Sequence, residues 1–187
     1  MLWLILGVLL FADIHMLPNA PATRGRVIER LGEQRYKGLF SLGIAGSIVL
    51  MVIGWRSSVP SYIYAPPSWG ADVAIPLVFV ALVLVVATYL PTNLKRLIRH
   101  PQLTGVAIWS GAHLLANGDS RSLVLFGGIG LWAVVEMGLL SRRAGTWQRP
   151  EPLPLAVEFK PLIVAAVVFA VLLLVHPYIT GVSPLPR

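Results

Sequence analysis

Three observations predict an all-α polytopic integral membrane protein: a bundle of six transmembrane helices forming one domain over residues 1–187. The chain is 56% hydrophobic and only 12% charged. Its apolar residues fall into six runs, most of them close to the ~20 residues needed to cross a ~30 Å hydrocarbon core. Its basic residues gather in alternate connections between those runs.

The runs place helices at about 1–17, 38–55, 72–90, 102–117, 121–140 and 161–179. The first could pass for a secretory leader, and Ala20-Pro21-Ala22 faintly resembles a cleavage site. Its positive charges follow the apolar run instead of preceding it, so it is expected to stay as an uncleaved span. Between Arg24 and Lys37, Val27, Ile28, Leu31 and Tyr36 alternate with charged residues at a spacing that suits a helix lying on the membrane surface. The second run carries Ser41/Ala45 and Gly43/Ser47, small residues four apart that let membrane helices approach closely. Trp55, Tyr62, Tyr64 and Trp69, interleaved with Pro60, Pro66 and Pro67, suit an interfacial aromatic belt.

The fourth run is short, and Asn117-Gly118-Asp119-Ser120 is a tight turn that makes it an antiparallel hairpin with the fifth. Ala107/Gly111 and Ala112/Ala116 put small residues on two of its faces, so it is expected to be central. Pro150, Pro152 and Pro154 mark an extended linker before the last span.

Charge sets the orientation. Arg24, Arg26, Arg30, Arg35 and Lys37 follow the first span, Lys95, Arg96 and Arg99 the third, and Arg142, Arg143, Arg149 and Lys160 the fifth; the other side has only Arg56, Arg121 and Arg187. The positive-inside rule then puts the odd-numbered connections in the cytoplasm and both termini on the periplasmic side. The net charge of +7 is thereby accounted for by topology and the lipid bilayer, without nucleic acid as a partner.

The chain has no cysteine, which excludes disulfides, thiolate haem ligation, iron–sulfur clusters, lipoprotein anchoring and a cysteine nucleophile. No phosphate-binding loop, zinc motif or nucleophile–base arrangement is present. What remains is four histidines and two carboxylates within the spans. His113 lies about 11 residues into the fourth run, ~16 Å deep, where an imidazole needs a cavity, a partner or a metal. His15 sits near the cytoplasmic end of the first span, level by depth with His100. His100 precedes Pro101, the first residue of a helix, so His100 and Arg99 stand at the cytoplasmic mouth, where a helix N-terminus favours an anion such as a haem propionate. His176 is interfacial. Asp13 points away from His15, and Glu136, near the cytoplasmic end of the fifth span, either orients a histidine or pairs with Arg142 or Arg99. Haem ligation and a polar cofactor pocket at the membrane surface are the two chemistries these residues suit.

Leu6 to His15, Arg30-Leu31-Gly32-Glu33 followed by Tyr36-Lys37-Gly38-Leu39-Phe40-Ser41, and Arg99-His100-Pro101-Gln102 through His113 resemble the NnrU family in order and spacing over nearly the whole chain. That resemblance implies a bacterial inner-membrane protein associated with nitrite and nitric oxide metabolism in denitrifiers. The family is similar to zeta-carotene isomerase, a membrane enzyme with haem b. It implies His15 and His113 as axial iron ligands, with His100 as the competing second ligand and Arg99 and Glu136 near the cofactor. The isomerase has a cysteine three residues before its second ligand; here Ser110 stands there, so a thiolate exchange has no counterpart. The Arg99-His100-Pro101 stretch also resembles isoprenylcysteine carboxyl methyltransferases, which implies an S-adenosylmethionine pocket formed by Arg99, His100 and Glu136. Leu103 replaces that family's tyrosine, and the match covers only spans four and five. A non-catalytic assembly factor is the third expectation.

Overall fold

The computed structural model describes residues 1–184; Arg187, counted above with the opposite side, lies outside them. The described residues form helices without a strand, in the order α1 (Leu2–Met16), α2 (Pro21–Leu31), α3 (Glu33–Ser57), α4 (Gly70–Tyr89), the single turn α5 (Leu94–Leu97), α6 (Pro101–Ala116), α7 (Ser120–Ala144) and α8 (Phe159–Thr180). Five of them, α1 with its 3₁₀ extension to Asn19, α3, α4, α7 and α8, are long and apolar enough to cross a membrane.

The sixth expected span, α6, is a helix of 16 residues, ~24 Å long and short of a ~30 Å core. It tolerates that length because protein covers it. It packs between α4 and α7, and its last carbonyls are met without water. The Tyr64 hydroxyl donates to the carbonyls of Leu114 and, at 2.8 Å, of Asn117, while the Asn117 amide donates to the His113 carbonyl at 2.9 Å. In hydrocarbon every backbone polar group must be satisfied internally, so Tyr64 is a structural clamp as well as a residue of the aromatic connection.

Two helix groups flank α7. In the first, α1 and α3 run antiparallel in close contact: an added Cβ at Gly54 would strike the Leu4 backbone, and one at Gly7 would lie 2.7 Å from the Met51 nitrogen. The expected Gly43/Ser47 face is used here, with Gly43 against Ile14 and Ser47 fully buried. In the second group α6 lies antiparallel to α4, where Gly105 approaches the Ala81 carbonyl and Gly70 the Leu115 carbonyl. There α8 packs on α4 through Phe79 and Phe169, ring centroids 5.4 Å apart, and leaves most of its surface outward. Lipid is as apolar as leucine, so such close approach, not hydrophobic burial, holds membrane helices together.

The single bridge α7 joins the groups. It runs parallel to α1, with Val8 on Gly128, and antiparallel to α6, with Ser110 on Gly130. Both α1 and α6 pack on α7, and Val106 and Trp109 of α6 pack against the apolar core that Leu4 and Val8 of α1 form with Met51 and Ile129. A π-helical turn over Leu123–Gly127 interrupts α7 near its start.

Polar clamps close both ends. At one, the 117–120 turn pairs with the extended segment before α4: Ile63 and Tyr64 donate to the Gly118 carbonyl and Ser120 to that of Ser61. A side chain at Gly118 would collide with the Tyr64 carbonyl. Arg121 donates to the carbonyls of Trp55 (3.2 Å) and Ser58 (3.4 Å) with its guanidinium 4.7 Å over the Trp55 ring. At the other, basic end, Arg143 reaches the Pro18 carbonyl, Arg96 that of Pro150, and Glu158 accepts from Thr92 and Asn93. The surface helix α2, which buries no side chain, lies at this end as expected, and Gly32 at φ 78° separates it from α3.

Tyr64→Phe is expected to cost about 1 kcal/mol, because it removes the hydroxyl that donates to the Leu114 and Asn117 carbonyls. Equilibrium unfolding in mixed micelles checks this, with exposed Tyr62→Phe unchanged.

Candidate histidine site

Each of the two span histidines has an aromatic residue four positions before it, one helical turn back. His15 follows Phe11 and His113 follows Trp109. The imidazole Nδ1–H donates to the carbonyl of that residue, at 2.8 Å from His15 to Phe11 and 2.9 Å from His113 to Trp109. It also packs on that residue's ring, with centroids 4.0 and 4.7 Å apart. A carbonyl can only accept, so Nδ1 carries a proton in both. In a neutral ring this leaves Nε2 with its lone pair free, and neither Nε2 has a partner among the described residues. Fixing one ring nitrogen on a carbonyl is how proteins orient a ligating histidine.

The remaining walls come from other helices. Trp132 of α7 lies 4.9 Å and Phe40 of α3 5.9 Å from the His15 ring. The Phe126 ring stacks on His113 at 4.3 Å, presented by the π-helical turn, with Trp109 5.0 Å away. Inserted π turns recur at functional sites.

Positions along α7 give the depths. Phe126 faces His113, Trp132 faces His15, and Ser141 meets His100, whose Nε2 lies 2.9 Å from the Ser141 hydroxyl. His15 is therefore six residues from the level of His113 and nine from that of His100, or ~9 and ~13.5 Å. The expectation that His15 is level with His100 is corrected. It arose from equating chain position with depth, whereas Val8 seated on Gly128 and Phe11 on Trp132 set α1 further into the bundle.

The other expected residues do not converge. His100 caps α6 ahead of Pro101, as anticipated. Arg99 donates to the Gly145 carbonyl at 2.8 Å, so both residues tie α6 to the end of α7. Burial, with the Arg99 charge beside it, holds the His100 imidazole below its ordinary pKa. Glu136 is 6% exposed and pairs with neither Arg99 nor Arg142; the Asn19 amide donates to its Oε1, and its Oε2 has no partner among the described residues. It hydrogen-bonds neither histidine. Arg99, His100 and Glu136 are thus each engaged by a different partner: the Gly145 carbonyl, the Ser141 hydroxyl and the Asn19 amide. His176 is spent on its own C-terminal turn, bonding the Val182 carbonyl, and Asp13 is exposed.

Phe40, Phe126 and Trp132 went unrecognised as site residues, since nothing in the sequence links them to the histidines across helices. The aromatic-x-x-x-His spacing, present twice, was the legible signal.

A depressed His100 means that the unfolded chain binds more protons than the folded one between the folded pKa and ~6.5. Its contribution to stability is complete above ~6.5 and is lost as pH falls through the folded value. Unfolding between pH 5 and 8 is expected to show this slope, and His100→Gln to flatten it.

No curated protein and no solved structure matches the chain. The NnrU protein family model matches residues 3–184, nearly all of it, and the chain belongs to the NnrU family.

Proposed function

We propose that this NnrU-family protein binds b-type haem beside α7, with His15 of α1 and His113 of α6 as the iron ligands, and serves redox or nitrogen-oxide metabolism. The observation that carries the reading is the matched pair of histidines. Both sit on aromatic rings, both are fixed through Nδ1, both have an Nε2 without a partner among the described residues, and the helices that carry them both pack on α7.

The donor set argues for a macrocycle over a bare ion. Structural zinc takes four protein ligands and catalytic zinc three, and among the described residues no three metal-binding side chains come together. A porphyrin brings four donors of its own and asks the protein for one or two axial imidazoles. The flat, apolar walls suit it: Phe11, Phe40, Trp109, Phe126 and Trp132 surround the two imidazoles. When bound, the iron would supply one-electron chemistry. The residues of the chain orient the ligands and keep water away. On the positive-inside rule the basic end faces the cytoplasm, and membership of the NnrU family supports a bacterial inner membrane.

Detergent-purified protein is expected to show a b-type spectrum at near-stoichiometric haem in a pyridine haemochrome assay. His15→Ala and His113→Ala should each weaken haem retention by about tenfold or more, since even outer-shell partners of metal ligands are worth that much. His100→Ala should retain its haem. Colourless protein from haem-supplied cells, still colourless after reconstitution, would sink the reading.

A further inference from the structure

The outer torsion of a histidine side chain is soft, with a broad, roughly two-fold profile. The Nδ1 bond that each span histidine makes to its own helix therefore fixes the place of the ring better than its plane. What packs on the ring faces sets the plane, and there the two histidines differ. Around His15 the rings of Phe11, Trp132 and Phe40 lie at 36°, 60° and 69° to the imidazole, so none is parallel to it. His113 has a near-parallel neighbour: the Phe126 ring lies 25° from the imidazole plane, with centroids 4.3 Å apart.

Phe126 is itself held. It is 7% exposed, and two indoles meet it edge to face, Trp109 at 5.0 Å and Trp55 at 6.2 Å. The same Trp109 provides the carbonyl that accepts from His113 Nδ1, so one residue braces both the ring nitrogen and the stacking partner. Behind Trp55 stands the Arg121 guanidinium, 4.7 Å over the indole and donating to the Trp55 and Ser58 carbonyls. A row of contacts from Arg121 through Trp55 and Phe126 thus leads from the clamped end of the bundle to the imidazole.

The backbone gives a second, independent observation. Phe126 sits in the π-helical turn Leu123–Gly127, while the helix is α-helical on both sides, over Ser120–Ser122 and Gly128–Ala144. A π turn widens the helix locally and re-aims the side chains within it, and such turns are kept mostly where function needs them. The departure from the α pattern falls on the residue that faces His113.

We propose that Phe126 is the positioning residue for His113: its ring, face to face with the imidazole, fixes the plane of that ligand. The role deepens the haem reading above and rests on it. Phe126 supplies no donor atom; it decides how the donor is presented. Control of the two ligands is then unequal, with the plane of His113 set by one parallel ring and that of His15 by several tilted ones.

The test is electron paramagnetic resonance of the oxidised full chain in detergent. Ferric haem with two histidine ligands is low-spin, and its g-values depend on the angle between the two imidazole planes. Phe126→Leu keeps an apolar side chain and removes the flat face. It is expected to retain a low-spin signal, to shift and broaden its largest g-value as His113 is released, and to weaken haem retention about fivefold. Phe126→Met, which fills the space with a flexible chain, should give the same shift and serves if the leucine variant does not fold. Phe79→Leu removes a ring that touches Phe169 of α8 and should leave the g-values unchanged. Wild-type g-values in both Phe126 variants would overturn the role of Phe126 while leaving haem ligation intact. An equal shift in Phe79→Leu, the mark of a general loosening, would overturn it as well. Wild-type protein that holds no haem would remove the ligand reading and this role together.

Discussion

The architecture depends on the small face of α7. Gly128 admits Val8 of α1, and Gly130 admits Ser110 of α6, so one helix is approached closely on two sides. In lipid there is no hydrophobic gain from bringing helices together, and close packing must supply the attraction. The α1–α3 and α4–α6 pairs use the same device at Gly7, Gly54 and Gly105. Because α1 and α6 both close on α7, one from each side, the placing of one histidine on each follows from how the helices are joined.

Helix termini impose the second constraint. Hydrocarbon offers no partners for free carbonyls and amides, and the short α6 would fail alone. The Tyr64 hydroxyl, the Gly118 turn and the Asp119 cap settle one end of the α6–α7 hairpin. In that cap the Asp119 carboxylate accepts from the Arg121 and Ser122 amides and the Ser122 hydroxyl. At the basic end, the carbonyls of Pro18, Gly145 and Pro150 accept from arginines that the topology rule counts only as charge. Arginines that fix orientation in the membrane thus also lace the loops together.

Function rests on the contrast between engaged and unengaged polar groups. Arg99, His100 and Arg121 each hold a structural contact, to the Gly145 carbonyl, the Ser141 hydroxyl and the Trp55 carbonyl. The Nε2 atoms of His15 and His113 and the Tyr36 hydroxyl do not. The first pair lies among aromatic rings and suits a flat, apolar cofactor; the last is buried beneath the Arg24 guanidinium. One chain of rings links the regions, from Tyr36 through Phe40 and His15 to Trp132.

Sequence by itself determined the helices, because the period and length of apolar runs are local properties. The expected spans and the observed helices agree closely at most ends, Pro101 opens α6, and Gly118 makes the hairpin turn. The largest difference is local too: α3 begins at Glu33, five residues before its expected start, since Gly32 at φ 78° ends α2 while hydropathy discounts the charged first turn. His15 and His113 were legible because a buried imidazole demands a reason. Their relative depth, their walls of Phe40, Phe126 and Trp132, and the pairing of Glu136 with Asn19 were decided only by tertiary structure. Those contacts depend on which small residues let which helices close together, a fit between surfaces far apart in the chain, and no local pattern encodes it.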